Sequence, residues 1–194
     1  MKPVEVVVTS DFICPWCWIG HRNLKDGIAT AGLSADWVQV RFAPFELNPN
    51  MPREGQNRQT YRTRKFGSWA RSQAMDAEVA MAGQRVGAVF NYDRVLVTPN
   101  TRLAHRLMFW AQSQGDAAKL EALPEAIFFA YFSQGRDIGT VDVLVEVAAA
   151  AGFDADAVRT FLKLNSGERE VVAKELQAQL DGVQEVASEI RTRR

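Results

Sequence analysis

The stretch VEVVVTSDFICPWCWIG, residues 4–20, limits the architecture of this chain more than any other. Its first half is a β-branched apolar run, the pattern of a short strand buried on both faces. Pro15 then suits the first position of a helix, where the N–H it lacks would have no partner. That predicts a helix from Pro15, with Cys14 at its cap and Cys17 at its third position. Trp18, Ile19 and Leu24 supply its apolar contacts, and Gly32 is the expected stop. The next segment, WVQVRF at 37–42, alternates, with Val38, Val40 and Phe42 on one side, and reads as a second strand. Strand, helix and strand in this order imply a right-handed crossover and parallel pairing. The fold class is therefore α/β.

Beyond this unit the pattern changes. Residues 44–58, PFELNPNMPREGQNR, carry three prolines and read as a loop. From 59 onward apolar residues recur near helical spacing, and five or six helices are expected. One starts near Thr98 or Asn100 and ends at Gly115. Another is broken or restarted at Pro124, and a third is capped by Thr140. No repeat or low-complexity segment appears.

Cys14 and Cys17 are the only cysteines among the 194 residues. Hydrophobic residues make up 47% and formal net charge is zero, so a sizeable core is available and no basic excess points to nucleic acid. The basic run YRTRKF at 61–66 reads as a solvated helix face. Glu5 and Asp11 interrupt any leader-like apolar region, and no run approaches the length of a membrane span, so a cytoplasmic protein with no membrane association is expected. A CxxC in that compartment points to catalysis or metal rather than to a structural disulfide. A thiolate at a helix N-terminus accepts unpaired amide N–H groups and gains from the helix dipole, so its pKa falls. Cys14 is thus the candidate nucleophile, and Cys17, one turn inward, is placed to close a disulfide with it. Trp16, between two reactive thiols, belongs to the surface offered to a substrate, together with Pro15. Two other readings stay open: a zinc site drawing on Cys14, Cys17 and His21 with the distant His105, and two inert buried thiols.

The segments SDFICPWCWIG (10–20), FAPFELNPNMPREG (42–55), PNTRLAHRL (99–107), AYFSQGRDIG (130–139) and AGFD (151–154) resemble, in order and spacing, the DsbA-like thioredoxin-fold oxidoreductases, in particular their FrnE-like branch. The resemblance implies a thioredoxin-like domain (1–58 and 166–194) interrupted by a helical insertion (59–165). It also implies thiol–disulfide exchange through Cys14 and Cys17 with thiol- or disulfide-bearing proteins, or with glutathione, and no cofactor or metal. The same broad group contains glutathione-dependent isomerases and kappa-class transferases, which carry serine where this chain has Cys14. A glutathione-using enzyme and a non-catalytic thiol- or zinc-binding module are the alternatives.

The C-terminal end departs from the resemblance. Where family members have a Gly-Val-x-Gly-Val-Pro segment opening a hairpin, this chain has Gly182-Val183-Gln184-Glu185-Val186-Ala187. A non-proline residue pays about 2.5–4 kcal/mol to be cis, so the usual proline loop beside Cys14 is expected to be absent or altered. With no apolar strand after it, the expected sheet has only two strands and lacks the last hairpin. A sheet so small is marginal, and its open edge is expected to invite a second copy of the chain. Among the remaining residues, His105 and Arg106 read as cap and core packing, with a cleft-facing role as the sharper alternative. His21 is expected to face solvent or to tune the thiolate. The aromatics Phe128, Phe129, Tyr131 and Phe132 read as helical-domain core, and Glu46 and Glu54 receive no acid–base role.

Overall fold

A computed structural model describes residues 3–34, 37–183 and 190–193, the last four as backbone. The predicted strand, helix and parallel strand are β1 (Val4–Ser10), α1 (Pro15–Thr30) and β2 (Val38–Pro44). β1 and β2 pair in parallel from Val4 opposite Val38 to Ser10 opposite Pro44. Cys14 caps α1 and Pro15 opens it, as the proline argument requires. Gly32, at φ +65°, lies just beyond the helix end.

The connecting loop contains a two-residue strand, β3 (Gln56–Asn57), paired antiparallel with β4 (Val97–Thr98). Gly55 precedes it at φ +72°, and a Cβ there would lie 2.7 Å from the Thr98 carbonyl oxygen. α2 (Arg58–Phe66) and α3 (Trp69–Gln84) follow where one helical run was expected. The break is chemical. Gly67 adopts φ +89°, and Ser68 caps α3 by accepting the Arg71 N–H. α4 (Arg102–Ser113) begins later than the Thr98–Asn100 cap, and Asn100 Oδ1 accepts the Arg102 N–H at 2.9 Å. α5 (Ala117–Phe132) runs unbroken through Pro124, contrary to expectation. Pro124 is fully buried, and packing of the face that carries it offsets the missing hydrogen bond. α6 (Val141–Ala150), α7 (Ala155–Lys163) and α8 (Glu168–Leu180) complete the helices; Thr140 holds the cap position of α6, but its hydroxyl donates to the Asp137 carbonyl at 3.0 Å instead of accepting a helical N–H.

Two expectations about the sheet need correction. A third strand is present. β5 (Ile190–Arg193) pairs antiparallel with β1, Val8 opposite Ile190, giving the order β2–β1–β5. Side-chain patterning hid it, because Ile-Arg-Thr-Arg lacks an apolar run, whereas strand pairing is satisfied by backbone groups of any sequence. The register position of Glu185 and Ala187 lies outside the described residues. The free edge of β2 is also not bare. The Gln112 side chain of α4 accepts the Phe42 N–H at 2.9 Å and donates to the Phe42 carbonyl at 3.1 Å, which removes part of the reason for edge-to-edge pairing. The second correction concerns β1. Only Val6 and Ser10 are fully buried, and Val4 is exposed. Its Val7 and Thr9 side line an open cleft of about 520 Å³ with Phe109, Gln112 and Lys174.

The core centres on α5. Trp18 of α1 is fully buried and stacks on Phe128 and Phe132, with Phe90 edge-on at 4.9 Å. Phe128, Tyr131 and Phe132 are core, as expected, but Phe129 is exposed, on the face of α5 that it shares with the exposed Ala118 and Ala122. α1 packs on α3 and α5, whereas β2 packs on α4 and α8. The cysteines sit between these two groups of helices, at the C-terminal end of β1.

Candidate active site

The site grows from the turn that joins β1 to α1. The Cys14 N–H donates to the Asp11 carbonyl at 3.0 Å, closing a four-residue turn over Phe12 and Ile13. The turn aims the first residue of the helix at the end of the sheet. Pro15 occupies the first helical position and contributes no N–H, leaving the amides of Trp16 and Cys17 as the nearest donors to the Cys14 sulfur. Trp16 is 49% exposed, as expected for a contact residue, whereas Cys14 and Cys17 keep 6% and 5% of their surface.

The two free thiols are electrostatically unequal. A hydrogen bond from the Cys17 thiol lowers the Cys14 pKa from the ordinary thiol value. Burial opposes it, the Cys17 and Trp16 amides reinforce it, and the Asp11 charge works against it. The same hydrogen bond pushes Cys17 well above an ordinary thiol, and burial and the charge on Cys14 push it further. One sulfur is therefore held toward the thiolate and its neighbour toward the protonated donor, the arrangement a two-step exchange needs.

Three polar residues close around this pair. Asp11, fully buried, accepts the Leu47 N–H on Oδ2 at 2.7 Å, and its Oδ1 lies 3.3 Å from His105 Nε2. That contact is close enough for an ion pair but not aligned as a hydrogen bond. His105 is buried and stacks obliquely on Phe12 at 5.2 Å. Ser10 is near enough to Cys17 to favour its thiolate, although its Oγ makes no well-aligned hydrogen bond. The sharper reading of His105 thus has a geometric basis, since α4 carries it to the carboxylate three residues before Cys14. Arg106, by contrast, serves the helices. Its Nε donates to the Ser166 carbonyl at 2.9 Å.

His21 is buried rather than solvent-facing, beside Phe42 and Phe128, and burial lowers its pKa. α1 turns this face onto α5, a docking its own sequence does not encode. Among the described residues no group of three or more His, Cys, Asp or Glu side chains is arranged to hold a metal ion. Glu46, given no role from sequence, is buried beside the site. It pairs with Arg102 through both carboxylate oxygens, and its N–H donates to Glu175 Oε1 at 2.8 Å. These contacts, with the Phe45 N–H on the Ser10 carbonyl at 3.2 Å, hold the loop that positions Asp11. Ser10 and Asp11 were visible in sequence only as neighbours of the CPWC, and their partners come from α4 and the post-β2 loop.

Comparison with known proteins agrees with this geometry. The profile of the DSBA-like thioredoxin domain matches residues 5–185. The chain is similar to a probable DsbA oxidoreductase from Streptomyces coelicolor, with 28% identity, a TM-score of 0.84, and coverage of 97% of this chain and 82% of that one. It shares its fold with a 2-hydroxychromene-2-carboxylate isomerase, at 15% identity and TM-score 0.66, covering 96% and 87% of the two chains. The fold is also that of the cytosolic disulfide reductase DsbM from Pseudomonas aeruginosa, at 16% identity and TM-score 0.63, covering 98% and 89%. With the thioredoxin-type strand, CPWC turn and helix in place, the chain belongs to the DsbA-like thioredoxin-domain family.

Proposed function

We propose that this chain is a thiol–disulfide oxidoreductase of the FrnE-like branch, acting on cysteines of partner proteins in the cytoplasm, with residues 59–165 as a helical insertion over a thioredoxin-like core. The observation that carries this reading is the placement of Cys14 at the N-terminus of α1 with Cys17 one turn inward, which makes the two sulfurs electrostatically unequal. Cys14, as thiolate, attacks a substrate disulfide and forms a mixed disulfide. Cys17 then attacks Cys14, and the reduced substrate leaves as the 14–17 disulfide closes. Trp16 and Pro15 present the surface on which the client chain lies. Insulin reduction driven by dithiothreitol tests it. Cys14→Ser abolishes turnover, and Cys17→Ser accumulates mixed disulfides seen on non-reducing gels. Turnover equal to the parent in both variants refutes the assignment.

A glutathione-using isomerase or transferase is the second reading, favoured by the isomerase among the structural neighbours. It requires that conversion of a small aromatic substrate with glutathione survive Cys17→Ser.

A further inference from the structure

Four buried groups at the end of β1 bear on the second step of exchange. Ser10, Asp11 and His105 are 5%, 0% and 4% exposed, and Ser10 Oγ, Asp11 Oδ1 and His105 Nε2 lack a well-aligned partner among the described residues. The fourth is the Cys17 thiol, which must lose its proton before it can attack. Buried polar atoms without aligned partners are costly, and three of them in one place call for a reason. Ser10 and His105 both line a small, partly open cavity of about 10 Å³, bounded also by Phe12, Met108 and Lys174, the volume of roughly one water molecule. Ser10 thus stands close enough to the Cys17 thiol to influence it and shares the cavity with His105, which Asp11 contacts at 3.3 Å.

We propose that Ser10, Asp11 and His105 form a buried proton relay that deprotonates Cys17 for the resolving step. The inference rests on the exchange reading of Cys14 and Cys17. In the mixed disulfide, the Cys17 S–H gives its proton to the Ser10 oxygen, and the Ser10 proton moves through the cavity to the Asp11–His105 pair, which ends with one proton more. The Cys17 sulfur uses the freed electron pair to bond Cys14 Sγ. The bond from Cys14 to the substrate sulfur breaks, its electron pair leaves with the substrate, and that thiolate takes a proton from solvent. Overall, two electrons pass from the cysteine pair to the substrate disulfide.

The charged surroundings of the relay come from several elements. Asp11 and Cys14 face it from the β1–α1 turn and α1. Glu175 and Lys174 approach from α8, the first lying within electrostatic range of His105. Arg102 lies on the same helix as His105 and is engaged by Glu46. His105 is therefore the ring of the relay with a carboxylate in direct contact and a route to Cys17.

The test uses 5,5′-dithiobis(2-nitrobenzoate) as substrate and follows release of its coloured thiolate by stopped flow. Attack by Cys14 releases one equivalent, and resolution by Cys17 releases the second, so the two steps are separated in one trace. In His105→Gln and in Ser10→Ala the second phase slows by about 100-fold near neutral pH, the usual scale of a lost proton acceptor, and then rises about tenfold per pH unit. The first phase keeps the rate of the parent. A merely structural role for His105 does not change the pH profile of one phase alone. Should His105→Gln lose the first phase through misfolding, Ser10→Ala decides, since it removes only a hydroxyl. A second phase with the rate and pH profile of the parent in the folded variants overturns the relay and leaves the exchange reading intact. A parent protein that releases only one equivalent overturns the exchange reading, and the relay with it.

Discussion

Trp18→Ala removes the side chain that joins the cysteine-bearing helix to α5, and its cost can be worked from the contacts. Trp18 is fully buried against Phe90, Phe128 and Phe132 at centroid distances of 4.9, 6.3 and 5.9 Å. A buried tryptophan hides about 200 Å², and at about 25 cal/mol per Å² the transfer contribution is about 5 kcal/mol. Alanine keeps the Cβ and the neighbours relax partway into the gap, which brings the expected loss to about 4 kcal/mol, within the range of about 3–5 for such truncations. The indole N–H to Glu125 Oε2 bond at 2.9 Å adds little, about 1 kcal/mol or less, because Glu125 stays paired with Arg22. Against a total stability of about 5–15 kcal/mol this is a large fraction, and for a chain of this size it lowers Tm by about 8–16 °C. Urea unfolding followed by far-ultraviolet circular dichroism measures it, with Trp18→Phe as the companion that keeps a ring in place. A loss below about 1 kcal/mol in Trp18→Ala refutes the claim that this packing holds the active-site helix. An equal loss in Trp18→Phe shows that the Glu125 hydrogen bond, not the stacking, dominates.

Two further outcomes are expected. Asp76 of α3 is bound by Arg58 at 2.7 Å and Arg62 at 2.9 Å, with the Arg58 side chain only 5% exposed, so Asp76→Ala strands a buried guanidinium and costs about 3–5 kcal/mol in chemical denaturation; a loss near zero refutes the pairing. Burial raises the Glu175 pKa above the ordinary carboxylate value, with the nearby Glu46 charge adding to it and the hydrogen bond from the Glu46 N–H opposing it. The folded state therefore holds this proton more tightly than the unfolded one. The stability gained from the protonated acid is fully present below the unfolded pKa and is lost as pH rises through the folded pKa. Glu175→Gln stays neutral and keeps an acceptor for Glu46, so its stability relative to the parent should rise from pH 4 to 7; a flat or falling difference in urea titrations refutes the shift.

Local chemistry alone determined the centre of this protein. A proline after an apolar β-branched run leaves few options but strand, turn and helix, and that places Cys14 at the helix cap and Cys17 one turn in. Backbone hydrogen bonding and steric limits act within a few residues, so they can be read from a few residues. The same is true of the Gly67–Ser68 break in hindsight: glycine tolerates the left-handed turn and serine caps the next helix, and helical periodicity masked both. What only the tertiary structure decided is what those cysteines meet. β5 pairs through backbone groups that every sequence carries, so Ile190–Arg193 left no apolar signature. His21 is buried because α1 docks on α5, and Pro124 survives inside α5 because packing surrounds it. His105 follows Asp11 by 94 residues, and their 3.3 Å contact exists because α4 is laid across the end of β1. Such contacts depend on how whole elements pack, a sum over many weak interactions, and no short stretch of the chain contains that sum.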